Sequence, residues 1–419
     1  MTSLLRLVLF SFALVQFIQP NAVAGPAVDP VIRIKLSRFF PVGCPTLIVT
    51  CSGPFNITDD NGTSVVGAPT GSSYEFEDIT GVKVSVTSVQ QQPDTEESEA
   101  GGVISSLYFT VQSSPGSVIT LSEPGSIEHH YRGEINVAPG LSAVNSLPLE
   151  DYLKGVLGPE IGSSAPVEAL KAQAIAARTY TVRNLGKMAM SGADMDDTTL
   201  TQQYLGVDGE TPTIDTAVDD TAGEVLLYNG ALINAVYSTD CGGITGAGDA
   251  SEPYLSPVAD PECAEEPPWQ YNITAQQAED LLGMSDPVNV RKIEMTVAEL
   301  DSSGRAATIK IVGGSQSNTI SGAQFRKSVG YDKIKSTLFS IEQQNDGSFM
   351  IVGHGWGHGL GLCQRGAIYL AQHAILCADI LHHYYTGASV AQLNPGLLSG
   401  LQSEPTISAN SALSTLPDP

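Results

Sequence analysis

Two segments of the 419-residue sequence bring together residue types that could do chemistry. The first centres on Glu160, in the run Gly158-Pro159-Glu160-Ile161-Gly162. A carboxyl fixed between a proline and a glycine, with Val156, Leu157 and Ile161 nearby, can lose solvent while still facing a cleft. Desolvation disfavours the charged form and lifts a carboxyl from its reference pKa of about 4.3 toward neutrality. Such a group can hand a proton to a leaving oxygen and later take one back. An ordinary solvated loop glutamate fits the same residues.

The second segment is Gly353–Ala367, GHGWGHGLGLCQRGA, with glycine at every second position from Gly353 to Gly361. If this stretch is extended, His354, Trp356, His358, Leu360 and Leu362 project from one side and bare backbone faces the other. An indole stacks on the apolar face of a sugar, and imidazoles bond its hydroxyls. A tightly packed core strand with satisfied histidines fits the spacing equally well. The segment has no P-loop lysine and never satisfies GxGxxG, so phosphate and dinucleotide binding are not indicated.

The six cysteines form three sequence-local pairs, Cys44 with Cys51, Cys241 with Cys263, and Cys363 with Cys377. Their even number suits an oxidising compartment, and disulfides between these local partners are the favoured pattern. Zinc stays open, because His354 and His358 could join two thiolates in a tetrahedral site.

The elements that must position Glu160 are legible on either side of it. Leu149, Leu153, Val156 and Leu157 share one helical face, and Gly158-Pro159 is expected to stop that helix. A second helix is expected after Ser163-Ser164, with Pro166 in its first turn and Glu168 near its positive end. Leu170, Ala174, Ala177 and Thr181 form its buried stripe. Glu160 then lies in the connection between two buried helices.

Around these segments the chain divides by pattern. Residues 1–24 have the layout of a signal peptide: Arg6, an apolar run from Leu7 to Ile18, then Ala22-Val23-Ala24. The run is shorter than the roughly 20 residues that span a bilayer, so no transmembrane segment is expected. Residues 25–130 read as β-rich, with alternation in Val31–Leu36, Leu47–Thr50 and Val82–Val86 and a turn at Asp59-Asp60-Asn61-Gly62. Gln90–Gly102 reads as an exposed acidic loop. Residues 131–393 mix helical and strand periods, and 394–419 read as a disordered tail. The expected class is α+β. Losing residues 1–24 removes one arginine and no acid, taking the net charge from −25 to −26. Such a chain repels nucleic acid and anionic membrane surfaces, so a glycan would have to be held by shape, hydrogen bonds and stacking.

Taken together, LPLEDYLKGVLGPE, EALKAQAIAARTY, DTTLTQQY (Asp197–Tyr204), CGG (Cys241–Gly243) and GHGWGHGLGLCQRGA resemble the stage II sporulation protein D family. The resemblance begins at YRGEINV and spans 131–393. It implies a mixed domain with a substrate cleft. The family includes peptidoglycan lytic transglycosylases and proteins described as amidase enhancers. On that basis Glu160 is the catalytic acid, and His354, Gly355, Trp356, Gly357, His358, Gln364, Arg178 and Tyr204 are expected to contact the glycan. The implied substrate is a strand of N-acetylmuramic acid and N-acetylglucosamine, cleaved to a 1,6-anhydro product in a secreted or periplasmic setting, with a cell-wall amidase as a further partner. A non-catalytic glycan-binding enhancer and a metal-dependent wall hydrolase using His354, His358 and cysteines stay as alternatives. Some members hold zinc through His and Cys. Here the Cys-Gly-Gly stretch reads YSTDCGGITG and no histidine lies between His130 and His354, so no cofactor is carried over.

Overall fold

A computed structural model describes residues 28–40, 43–79, 83–89, 104–283 and 293–402. The expected signal peptide at 1–24 and the expected acidic loop at 90–102 lie outside these residues. The architecture is mixed α+β, as expected.

The N-terminal alternation does form strands. In Val31–Lys35 every second side chain is buried, with Ile32 and Ile34 fully inaccessible. Seven strands make one sheet, edge to edge: Met195–Asp196, Val31–Lys35, Ser142–Pro148, Glu134–Ala138, Phe109–Ser113, Phe55–Thr58 and Ser64–Ala68. Six make another: His129–Tyr131, Ile119–Ser122, Thr46–Cys51, Ser73–Ile79, Lys83–Val89 and Ile104–Ser106. Their apolar faces meet, with Phe76 of the second edge-on to Phe109 of the first.

The expected boundary at 130 is not a break in packing. Strands Glu134–Ala138 and Ser142–Pro148 complete the N-terminal sheet, and one continuous core runs from Ile32 through the helices to Leu393. The real division falls later. Residues 269–353 carry a separate core, built on Ile273, Ile309, Ile311, Phe325, Phe339, Phe349 and Ile351. Two three-stranded sheets surround it, and its helices Ala275–Leu282 and Gly322–Val329 each begin with a capping box, Thr274 with Gln277 and Ser321 with Gln324. The tail also departs from expectation: Pro395–Gln402 is a helix, and Leu397 and Leu398 pack against the main core. Residues 403–419 are not among those described.

Candidate functional site

Glu160 lies in the last turn of helix α1, Leu149–Ile161, and not in a connection after it. The helix runs through Pro159 because the fold uses what the proline releases. With no N–H, Pro159 cannot bond the carbonyl of Gly155 four residues back. That carbonyl instead accepts from the Leu205 N–H at 3.1 Å. Gly155 and Gly158, on the same face, leave room for this passing chain: a Cβ on Gly155 would sit 2.5 Å from the Tyr204 ring, and one on Gly158 2.4 Å from the Gly209 carbonyl oxygen. The segment so docked presents the Gln203 N–H to Glu160 Oε1 at 2.6 Å. The glycines and proline that suggested a helix stop are therefore a docking groove for 203–209.

The second helix, α2, spans Val167–Arg183 with Pro166 at its N-cap. The expected stripe is buried, and nearly every residue from Ala169 to Val182 joins it. Beneath Glu160, buried Gln202 links helix to wall, accepting from Tyr152 and Thr181 and donating to the Tyr237 hydroxyl.

Glu160 opens into a cleft of about 430 Å³ that also reaches Tyr180, Tyr237, Arg326, Asp332, Trp356 and Gln364. Burial pushes its carboxyl from 4.5 up to about 7, against the opposing pull of the Gln203 N–H and the Gln364 side chain. Gln364 is itself buried, and its Nε2 has no hydrogen-bond partner among the described residues. It is a donor beside the carboxyl with no other acceptor among those residues.

The glycine ribbon is not the extended strand that alternation predicts. Gly355, Gly357, Gly359 and Gly361 all have φ between +65° and +107°. The segment coils, and its side chains leave in different directions. Each glycine meets a close neighbour where a Cβ would go: Asp240 O for Gly355, Ser238 Cβ for Gly357, the Arg305 guanidinium for Gly359 and Val236 O for Gly361. Trp356 reaches the cleft, 51% exposed, with the Lys335 ammonium 4.6 Å from its ring centroid. Gly357 lines the cleft, whereas Gly355 packs on Asp240–Gly242.

His358 borders the cleft but is not a hydroxyl-binding imidazole. Its Nδ1 accepts from the Leu360 N–H at 2.9 Å, and the ring bonds the Tyr237 backbone. Burial and the nearby Arg326 and Arg305 push it down to about 3, so it stays neutral. His354 is not among the cleft-lining residues.

Arg178 and Tyr204 are corrections. Arg178 is fully buried and holds Glu150 through two bonds of 2.8 and 2.6 Å while bonding the Glu224 carbonyl. It ties α2 to α1 instead of meeting ligand. Tyr204 is packed under α1 with its hydroxyl on Asn145 Oδ1 at 2.7 Å. Its neighbour Gln203 faces the cleft. Arg326, Tyr331 and Asp332, from the second core, also line it and carried no sequence signal.

Of the expected cysteine partners, Cys241 and Cys263 do meet, with Cys363 beside them, while Cys377 sits apart on another helix, its N–H donating to Glu168. No disulfide joins any of the six in the structure. Neither His354 nor His358 joins that cluster.

The profile of a family described as "Stage II sporulation protein" matches residues 138–228, which hold α1, α2 and the segment around Gln203. A second profile, "Domain of unknown function (DUF8618)", matches 268–361, the separate core together with the ribbon. The chain is 35% identical over 273 residues to an uncharacterized protein of Brachyspira hyodysenteriae, covering 63% of this chain and 73% of that one. It is 28% identical over 324 residues to stage II sporulation protein D of Bacillus subtilis, covering 72% and 90%. With the amidase enhancer of Bacillus subtilis it shares 29% identity over 293 residues, 57% of this chain but 40% of that protein. On these matches and the shared cleft-forming segments, the chain belongs to the stage II sporulation protein D family.

Proposed function

We propose that the chain cleaves peptidoglycan glycan strands as a lytic transglycosylase with Glu160 as its acid and base. Family membership and a relative named amidase enhancer support work on the cell wall. The observation that carries the finer reading is Glu160 itself, a carboxyl raised to about 7 by burial yet open to a cleft. Such a group starts protonated near neutral pH and gives its proton to the glycosidic oxygen as the bond to C1 breaks. The resulting carboxylate then takes the proton of the sugar's own C6 hydroxyl as that oxygen bonds C1. A 1,6-anhydro ring closes and no water is consumed. Because the nucleophile is intramolecular, its effective concentration is high and one carboxyl suffices.

A hydrolase ordinarily needs a second carboxyl. Asp332 also lines the cleft, exposed on the opposite rim. The products separate the two chemistries. Pure protein is incubated with peptidoglycan and the soluble products are weighed by mass spectrometry. Anhydro sugars, lighter by one water, support the proposal, and reducing ends overturn it. No cleavage, with stimulation of an added wall amidase, favours the enhancer reading that the 29% identical relative motivates. The metal-hydrolase alternative draws less support, since His358 Nδ1 accepts the Leu360 N–H and neither His354 nor His358 joins the cysteine cluster. Export belongs to the same proposal, because the substrate lies outside the cytoplasm. Among the described residues no helix is long and apolar enough to cross a membrane.

A further inference from the structure

Behind the ribbon wall, three cysteines distant in sequence meet. Cys241 lies in the 236–243 segment that backs the ribbon, Cys263 lies in the 3-10 helix Pro261–Glu265, and Cys363 caps helix Gln364–Gln372. None is more than 1% exposed. One ligand atom from each, together with a carboxylate oxygen of Asp240, all lie within 4.8 Å of one another.

The spacing suits a shared ion better than a disulfide. Cys263 Sγ and Cys363 Sγ are 3.6 Å apart. A covalent pair needs about 2.05 Å. Two thiolates on one tetrahedral zinc, each about 2.3 Å from the metal, lie about 3.8 Å apart. Three thiols also cannot close into pairs without stranding one in the interior. Cys363 Sγ receives the Cys241 N–H at 3.2 Å and the Gly366 N–H at 3.5 Å, the donors that a thiolate requires. Asp260, 3.4 Å from Cys241 Sγ, is held by Tyr384 Oη at 2.8 Å and His383 Nε2 at 3.1 Å. Asp240 also has partners, the Gly242 N–H at 2.7 Å and Arg365 Nη1 at 3.5 Å, but it is the acid with an oxygen within 4.8 Å of all three sulfurs, which makes it the fourth ligand.

Three thiolates and a carboxylate on a divalent ion leave surplus negative charge. Arg305 supplies the complement. It is 3% exposed, and its Nη2 bonds the carbonyls of Cys241 at 2.6 Å and Ile244 at 3.0 Å. Its Nε and Nη1 have no partner among the described residues. A buried guanidinium with spare donors is costly unless negative charge lies close by.

We propose that Asp240, Cys241, Cys263 and Cys363 bind one zinc ion in a closed structural site. Four protein ligands and no solvent position make it structural, not catalytic. The ion fastens the 236–243 segment, the 261–265 turn and the end of the ribbon into one unit. Gln364 follows Cys363 directly, so the same unit sets the wall opposite Glu160. The site does not depend on the wall-cleavage reading.

The test uses the full chain, purified without a metal-affinity tag and without reductant. Metal analysis should find about one zinc per chain. Replacement by cobalt should give the thiolate-to-cobalt charge-transfer band and the strong visible bands of a tetrahedral site. Cys263→Ser should lose the metal, whereas Cys44→Ser should keep it. If Cys263→Ser does not fold, the cobalt spectrum of the unaltered chain still decides the matter. Metal-free folded protein, or a mapped disulfide joining any two of Cys241, Cys263 and Cys363, overturns the proposal. None of these readouts involves glycan cleavage, so failure of the zinc site and failure of the proposed activity are distinguishable.

Discussion

On one wall of the cleft the polar group rides on a helix and is desolvated by its neighbours. On the other, residues 353–361 press backbone against backbone, and the one large side chain that emerges stays half in solvent. The Glu160 wall is rigid because α1 and α2 are buried on nearly every side. The ribbon wall is held by glycines whose hydrogens face carbonyl oxygens and side chains of the strand behind. Under the proposed function, chemistry sits where the protein can tune a pKa, and recognition sits where substrate can approach closely and an aromatic face is free. Variants on either wall should fail in different measurements.

The largest effect is expected from Glu160→Gln. The amide keeps the volume and can still bond its neighbours, but it has no proton to give. Cleavage should fall by roughly 10² to 10⁴, about 2.7 kcal/mol or more of transition-state stabilisation, with glycan affinity retained. Glu168→Gln is the matched control. That carboxylate accepts the Cys377 N–H at 2.8 Å and lies in the first turn of α2. Its loss should lower stability by about 1 kcal/mol through helix-end contacts and leave cleavage intact. Equal activity in both variants breaks the contrast between the walls.

The same carboxyl predicts a pH signature. Only its protonated form can begin the reaction, so activity should decline as pH rises through about 7. Stability follows with a definite sign. Folding raises this pKa, so the native state binds the proton more tightly than the unfolded chain. Between 4.5 and about 7 the native state therefore loses stability as pH rises. Above that range the full cost is present, up to about 3 kcal/mol. Glu160→Gln should accordingly melt higher than the unaltered chain in alkaline buffer, and the gap should close in acid. An unchanged gap across pH would mean that Glu160 ionises freely.

Much of the helical wall was legible because burial there repeats with helical period and leaves a stripe such as Leu170, Ala174, Ala177 and Thr181. What escaped was the use of a broken rule. Pro159 reads as a stop by local propensity, and only the Leu205 N–H, 46 residues away by the numbering, shows what its missing bond is for. The ribbon misled for the opposite reason. Alternation resembles a strand, but glycine at every second position also permits repeated positive φ, and the choice was made by the neighbouring 236–243 segment. Arg178 and Tyr204 belong to motifs that carry the family resemblance, yet both are packing residues here. Membership in a motif does not separate a wall from its support. Local pairing found two members of the cysteine cluster, Cys241 and Cys263, but missed Cys363, which lies 100 residues beyond Cys263 and was paired with Cys377 instead.

Glycine substitutions sharpen the contrast in backbone terms. Gly361 has φ +65°, and a Cβ there would stand 1.9 Å from Val236 O. Gly361→Ala should cost about 2–3 kcal/mol, from the left-handed backbone and the displaced strand together. Gly192, after the 3-10 turn Ala189–Ser191, has a left-handed φ of +75° with nothing within 4 Å of the added atom. Gly192→Ala should pay only the conformational term, about 1 kcal/mol. Urea midpoints for the two variants give the comparison directly, and equal losses would mean that the ribbon yields easily.

Trp356→Ala should give the smallest effect and the most selective one. Half of the ring is already in water, so its removal leaves no cavity in either core. Stability should change by less than about 1 kcal/mol, as at other exposed positions. What is lost is the face that meets a sugar, held in place by Lys335 at 4.6 Å. Stacking of this kind is worth on the order of 1 kcal/mol, so glycan affinity should weaken about five-fold. Maximal turnover with saturating substrate should change little, because Trp356 is not asked to move a proton. Trp356→Phe should recover part of the affinity by restoring a smaller ring. A Trp356→Ala protein that binds glycan normally would move recognition off the ribbon and onto Tyr331 and Arg326, two of the side chains that line the cleft from the second core.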